Sequence, residues 1–444
     1  MTEKLKETPL WVGAGAALPP SLSLKKRLSR VDRYDEPYSL WEERGGELLV
    51  PRNMVEFGPD TEDRRVEYKS SDFASSFKPR GEDQAHAVEK SVRYLKKGRN
   101  HVLSAPTGKG KTAMAMEIIA QISQPTLVIV HKADLYDNWL EDAKKFLGLD
   151  PDEIGVIQGD NVRIRKLTLG MVQSLMKPNR YPRSAYEAFG FVIVDEVHRI
   201  GAEKFSGAMW NLPGKYRLGL SATPDRKDGR MDVIEGHIGP VAVKISKADL
   251  TPKVVVVSTP WKSPVVRKKG RWVKFPYRAG RTMGANKSMA EDMNRVDMIA
   301  HLIKLAHEKE RKVLFLTDLL VHIDLVRQSL TKQVPQAKIG VYVGGLSKTE
   351  RALAACRPVI LSTFKMASEG TNIPAMDTCI LGTPRSDVRQ VVGRILRLHD
   401  GKKSPVVIDL LDSDHGLFVQ YYRSREKWYR SIGAKIVFAG VGNG

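Results

Sequence analysis

Cysteine is almost absent. The 444 residues contain only Cys356 and Cys379, and no histidine or cysteine is spaced to share a metal with them. That excludes a disulfide framework and a zinc site, and it fits a reducing compartment. No apolar run approaches the roughly 18 residues of a membrane span, so no membrane partner is expected and a cytoplasmic location is read. Leu10 to Ala17 faintly mimics a signal-peptide core, but Glu3 and Glu7 dilute its basic flank and the run is short and Gly-rich. It is read as an ordinary start. One further absence is local: residues 261–290 hold no aspartate or glutamate.

What is abundant is positive charge. Lys and Arg outnumber Asp and Glu by 72 to 51, a net +21 with a pI near 9.7. Neutralising phosphates releases condensed counterions, so an excess of that size points to a polyphosphate partner. The alternative is a basic surface with no dedicated partner. The acid-free stretch carries Lys262, Arg267, Lys268, Lys269, Arg271, Lys274, Arg278, Arg281 and Lys287, interleaved with Trp261, Trp272, Phe275 and Tyr277.

The length suggests two or three domains. Residues 1–75 show no strong motif beyond a short strand in Glu47 to Arg52, ended by Pro51, and a polar linker from Ser70 to Ser76. From residue 76 to 250, continuous apolar strands at 101–103, 126–130 and 191–194 alternate with helical patterns at 112–123 and 133–147. That rhythm predicts a doubly wound parallel sheet. It restarts at 312–316 and runs through 359–361 and 406–408, predicting a second α/β domain over 291–444 that ends in a helix. Residues 251–290 are then an insertion between them, and 265–273 predicts a hairpin turning at Gly270. The aromatic stripe Phe418, Tyr421, Tyr422, Trp428 and Tyr429 has helical spacing and is read as core.

Two motifs carry chemistry. Ala105-Pro106-Thr107-Gly108-Lys109-Gly110-Lys111-Thr112 follows a strand and opens a helix, as a phosphate-binding loop must. Its backbone N–H groups and the helix dipole can cradle phosphates, Lys111 can reach the β- and γ-phosphates, and Thr112 can ligate Mg²⁺. The strand at 191–194 then delivers Asp195 and Glu196 at its carboxyl end, where ligands bind in open sheets. Asp195 can hold Mg²⁺ and Glu196 can orient and deprotonate water. Gly344 to Thr349 only superficially resembles a second such loop and is read as a turn before a helix.

These residues resemble the motifs of superfamily 2 helicases. The loop is similar to their motif I, Asp195 to His198 to a DExH motif II, and Ser221-Ala222-Thr223 to motif III. The region around Lys132 and Asn138-Trp139 resembles motif Ia, and 168–175 resembles motif Ib. Residues 362–370 resemble motif V, and 390–397 resemble motif VI. The resemblance runs in the family's order from about 77 to 410. It implies two tandem RecA-like domains with a small N-terminal domain, and ATP and Mg²⁺ as cofactors. It implies nucleotide contacts at Gln84 and Gly370, coupling through His198, Ser221 and Thr223, and nucleic-acid contacts at Lys132, Gln173 and Thr363. The spacer before Gln84 is longer than the family's usual one. Gln390, Arg394 and Arg397 would complete the chemistry. The two arginines lie one helical turn apart and can neutralise transition-state charge in a site between the domains.

Motif VI begins with Gln390 rather than the His-Arg of DEAD-box RNA helicases, and its Gly-Arg-Ile-Leu-Arg run resembles the XPB-type and UvsW-type group. The compact length is most similar to the phage recombination enzymes. That implies forked or branched DNA as substrate, a monomer on DNA, recombination or replication proteins as partners, and host-cell cytoplasm if phage-encoded. Arg267, Lys268, Lys269, Arg271 and Trp272 are the candidate DNA contacts of the insertion, and residues 1–75 are expected to add another. The competing functions are a duplex translocase without strand separation, an RNA helicase, and a scaffold that ATP only switches.

Overall fold

A computed structural model describes residues 4–439 except 107, 178, 201, 223–227, 246–249, 269–270, 275–282, 336–337, 369–374, 397–398 and 400. The chain divides into two compact units, 1–246 and 247–444.

The first unit is built on an eight-stranded sheet. In spatial order its strands are Asn161–Arg163, Ile154–Gln158, Leu167–Met171, Thr126–Val130, Phe191–Val194, Tyr216–Ser221, His101–Ser104 and Val241–Lys244. Only Asn161–Arg163 runs antiparallel. Side chains alternate across the pleat, and the two faces feed separate cores. Leu127, Ile129, Val192 and Val194 enter one cluster, while Val128, Val130, Ile193 and Leu218 enter the other. A strand buried on both faces must read as a continuous apolar run, and these do. Helices Lys111–Ile122 and Ala133–Leu147 are among those flanking it; the second stops at Gly148, whose φ of 67° suits a left-handed cap.

Residues before 66 form a five-stranded sheet ordered Glu42–Arg44, Glu47–Val50, Ala16–Leu18, Trp11–Val12 and Glu62–Asp63. This small domain has no core of its own: Val12, Leu18, Leu48 and Val50 join the cluster that holds Leu127 and Val192. Two fully buried arginines fasten it. Arg52 donates to the carbonyls of Gly214 and Lys215 at 2.8 Å. Arg217, from the strand Tyr216–Ser221, donates to Ala14 at 2.8 Å, Leu212 at 2.6 Å and His237 at 2.7 Å. The linker is fastened too, since the Gln124 amide accepts from Tyr68 N at 2.7 Å and donates to Tyr68 O at 2.6 Å.

The second unit has a seven-stranded parallel sheet: Ile339–Tyr342, Val359–Thr363, Val313–Thr317, Thr378–Leu381, Val406–Leu411, Lys253–Ser258 and Lys435–Ala439. This order revises the expected insertion. Lys253–Ser258 is an inner strand, pairing with Val406–Leu411 on one side and Lys435–Ala439 on the other. Trp261 is buried at 2% exposure, and the helix Met283–Ala290 packs Ala285 and Met289 beside it and Phe418. What stands apart is the antiparallel ribbon Val265–Lys268 and Arg271–Lys274, the hairpin read from the sequence. Among the described residues the last element is a strand rather than the expected helix, because Lys435–Ala439 follows the helix Gly416–Ser431 and joins the sheet. Phe418, Tyr422 and Tyr429 of that helix are buried. Within Gly344 to Thr349, the turn ends at Ser347 and the helix Lys348–Ala355 begins through a Ser347–Glu350 capping box.

Arg52→Ala should orphan the buried carbonyls of Gly214 and Gly13, the latter 3.3 Å from Arg52 Nη1, whereas Lys215 O keeps Asn100 Nδ2 at 3.3 Å; each orphan costs about 1–3 kcal/mol. We expect calorimetry to show a lower unfolding temperature for the first unit and an unchanged second unit. Unchanged unfolding of the first unit would mean that the arginine is dispensable as a fastener.

Candidate nucleotide and nucleic-acid site

Strand order assembles the site. His101–Ser104 lies beside Tyr216–Ser221, which lies beside Phe191–Val194, all parallel. Their carboxyl ends therefore deliver the loop at 105–111, Ser221 and Asp195 to one edge. Ala105 N donates to Ser221 O at 3.0 Å, locking the start of the loop to the end of the neighbouring strand.

Within the loop, Gly108 and Gly110 adopt φ of 94° and 68°. These left-handed angles suit glycine. Gly110 is also crowded: a Cβ there would lie 3.0 Å from both Arg80 Nη2 and Gln84 Nε2. Those two side chains grip the loop from outside. Arg80 donates to Gly108 O and Gln84 to Lys109 O, each at 2.8 Å, while Gln84 Oε1 accepts from Arg80 N at 2.7 Å. Gln84, expected at the nucleotide, thus tethers the loop through Nε2 while its Oε1 holds the backbone of Arg80. Arg80 was missed; its signal was position, a basic residue just before the glutamine.

The helix Lys111–Ile122 has no acidic side chain in its first turn, leaving its positive end open to an anion. Lys111 Nζ donates to Ala105 O at 3.3 Å and lies 4.0 Å from Glu196 Oε1. Lys109 is 3.8 Å from Asp83 Oδ2. Thr112 is half-buried, and Thr107 lies outside the described residues.

The carboxylate pair is sharply differentiated. Asp195 is buried, accepting from Trp139 Nε1 at 2.9 Å and from Glu196 N at 2.8 Å. Burial, then the neighbouring Glu196 charge, push its pKa up to about 6, against the Trp139 hydrogen bond and the Lys111 charge. Glu196 takes a left-handed φ of 46°, a strained turn for a side chain with a Cβ. It points back toward Lys111 and toward His198, whose Nδ1 is 3.4 Å from Glu196 Oε2 and 2.9 Å from Ser221 Oγ. His198 therefore bridges the carboxylate to the neighbouring strand. Thr223 lies outside the described residues.

A divalent metal with a nucleotide fits this chemistry. One buried carboxylate, a flanking hydroxyl and a phosphate loop suit a cation that takes its remaining ligands from phosphates and water. No cluster of three acidic, His or Cys residues able to hold a metal alone occurs among the described residues.

The other predicted contacts are distributed. Lys132 and Gln173 follow the paired strands Thr126–Val130 and Leu167–Met171, and Gln173 Nε2 donates to His131 O at 3.0 Å, so their loops touch. In the second unit, Thr363 ends its strand and accepts from Met366 N at 3.3 Å, capping the next helix. Gln390 and Arg394 lie on the helix Arg389–Ile395, where Arg394 is buried. Gly370, Lys269 and Arg397 lie outside the described residues. Arg267, Lys268, Arg271 and Trp272 fall on the ribbon strands.

Charge is unevenly shared. Residues 247–444 hold 34 Lys and Arg against 17 Asp and Glu, whereas residues 1–75 hold 12 against 14. The excess that suggested a phosphate partner therefore does not extend to the N-terminal domain.

Residues 77–226 match the family described as the type III restriction enzyme res subunit. A protein named as an ATP-dependent RNA helicase, from Acanthamoeba polyphaga mimivirus, is 30% identical over 409 residues, 89% of this chain and 77% of that one. A protein named as a DNA 3'-5' translocase, from Sulfurisphaera tokodaii, is 32% identical over 174 residues, 39% of this chain and 37% of that one. Among solved structures, the Hef helicase domain of Pyrococcus furiosus gives a TM-score of 0.51 at 15% identity, over 77% of this chain and 97% of that one. At that identity the likeness concerns the fold.

Gly110→Ala adds a Cβ to a left-handed residue and into the Arg80–Gln84 grip. We expect nucleotide affinity to drop at least about tenfold, the equivalent of roughly 1.4 kcal/mol, in a fluorescent-nucleotide titration. Wild-type affinity would mean that the loop reshapes freely.

Proposed function

The chain belongs to the superfamily 2 helicases, ATP-hydrolysing enzymes that act on nucleic acid, and from that premise we propose that its substrate is forked or branched DNA and its metal Mg²⁺. The observation carrying the chemical part is the carboxyl edge of the first sheet, where Lys111, Asp195 and Glu196 converge behind the glycine loop. In this reading the loop amides and Lys111 hold the phosphates, Thr112 and Asp195 hold the metal, and Glu196 orients and deprotonates the attacking water. Gln390 and Arg394 act on the same nucleotide, a role resting on the motif they belong to.

Two observations support the nucleic-acid part. The second unit carries a twofold excess of basic over acidic residues, and an antiparallel ribbon lies within the acid-free stretch. Lys132, Gln173 and Thr363, at strand ends, are the proposed backbone contacts, and Arg267, Lys268, Lys269, Arg271 and Trp272 the ribbon contacts. DNA is favoured by the Gln390 start of motif VI and by the name of the Sulfurisphaera relative. An RNA substrate is the second reading, favoured by the name of the mimivirus relative, which is similar over far more of the chain. ATPase stimulation by duplex, forked and single-stranded DNA and by RNA, measured side by side, separates them; strongest stimulation by RNA would overturn the DNA reading.

Glu196→Gln cannot accept the water's proton. It should keep nucleotide binding and lose turnover by orders of magnitude, whereas Lys111→Ala should lose both. Normal turnover in Glu196→Gln would remove it from the mechanism.

Replacing Arg267, Lys268, Lys269 and Arg271 with Ala should weaken fork binding and flatten its salt dependence. The slope of log K against log salt should fall by about 0.7–0.9 for each phosphate that is no longer neutralised. Basal ATPase should stay unchanged. An unaltered slope would leave the ribbon as a solvated excursion.

A further inference from the structure

Trp139 has a role that its packing alone does not require. It lies seven residues into the helix Ala133–Leu147, 1% exposed, in the apolar cluster with Val128, Val130 and Ile193. Volume there could be filled by a side chain with no polar atom. An indole brings a buried N–H that must find an acceptor. The acceptor it finds is Asp195 Oδ2, at 2.9 Å. That bond is charge-assisted when the carboxylate is ionised, and therefore stronger than a neutral one.

Asp195 is held at both oxygens. Oδ1 takes the Glu196 N–H at 2.8 Å while Oδ2 takes the indole. One donor on each oxygen fixes the rotation of the carboxylate plane, and each oxygen keeps a second lone pair for another partner. The Glu196 amide is local, set by the turn that follows the strand. The indole comes from a different element, 56 residues away, so it alone ties the carboxylate's orientation to the packing of a neighbouring helix.

We propose that Trp139 is a positioning residue for the divalent metal bound with the nucleotide: its indole N–H holds Asp195 in the orientation that presents a free lone pair to the cation. The proposal rests on reading Asp195 as the metal carboxylate. Partners that orient a metal ligand from outside the coordination sphere are typically worth about 10–100-fold in metal affinity.

The test uses the full chain with two replacements at position 139. Trp139→Phe removes the N–H and keeps an aromatic ring. Incorporated 3-benzothienylalanine, with sulfur in place of the N–H, keeps the size and shape of the indole. A fluorescent ATP analogue is titrated in EDTA and across a Mg²⁺ series, and thermal midpoints are recorded. Both variants should bind the nucleotide normally in EDTA and need about tenfold more Mg²⁺ for half-maximal enhancement of binding. The midpoint should fall for Trp139→Phe, which opens a cavity, and hold for the isosteric variant. Wild-type Mg²⁺ dependence in the benzothienyl variant overturns the proposal and leaves Trp139 as core packing, whether or not Trp139→Phe folds. Asp195→Asn is the control. If it too keeps wild-type Mg²⁺ dependence, the reading of Asp195 has failed; if it loses that dependence while the position-139 variants keep it, only the role of Trp139 has failed.

Discussion

Parallel pairing of His101–Ser104, Tyr216–Ser221 and Phe191–Val194 is the constraint from which the rest of the first unit follows. In a parallel sheet every carboxyl end faces the same way, so three segments far apart in sequence are delivered to one edge with no long loop. The Ala105–Ser221 backbone bond, the His198–Ser221 contact and the approach of Lys111 to Glu196 are all consequences of that alignment. Because the same strands are buried on both faces, the edge is rigid. A carboxylate placed there can be held in an unfavourable, desolvated position by a few fixed donors.

The small N-terminal domain depends on the same sheet. Its apolar residues share a cluster with Leu127, Ile129 and Val192, and Arg217 comes from the strand that ends in Ser221. Backbone carbonyls from three separate segments converge on the terminal guanidinium nitrogens of Arg52 and Arg217, which closes the seam between the domains. With 12 basic and 14 acidic residues before position 76, this domain has the character of a brace. The phosphate-seeking charge lies in the second unit instead.

The acid-free stretch shows how composition can mislead about boundaries. Nine basic residues among aromatics read as one inserted segment, yet Trp261 and the helix Met283–Ala290 belong to the packed body, while the ribbon forms a sheet of its own. The valine run at 253–258, placed in the same insertion, is an inner strand of the second sheet. Composition averages over a window, whereas burial is decided residue by residue through what packs against each one.

Local signals were sufficient for many of the elements. Continuous apolar runs marked the strands at 126–130 and 191–194, and the glycine loop and the Asp195–Glu196 pair were legible as motifs, because these depend on neighbours along the chain. The order of strands in the sheets, the terminal strand Lys435–Ala439, the Arg80–Gln84 grip on the loop and the indole on Asp195 were decided only in three dimensions. Each joins residues whose separation no periodicity records, and the indole on Asp195 exists because a buried donor must find a partner wherever the packing has put one.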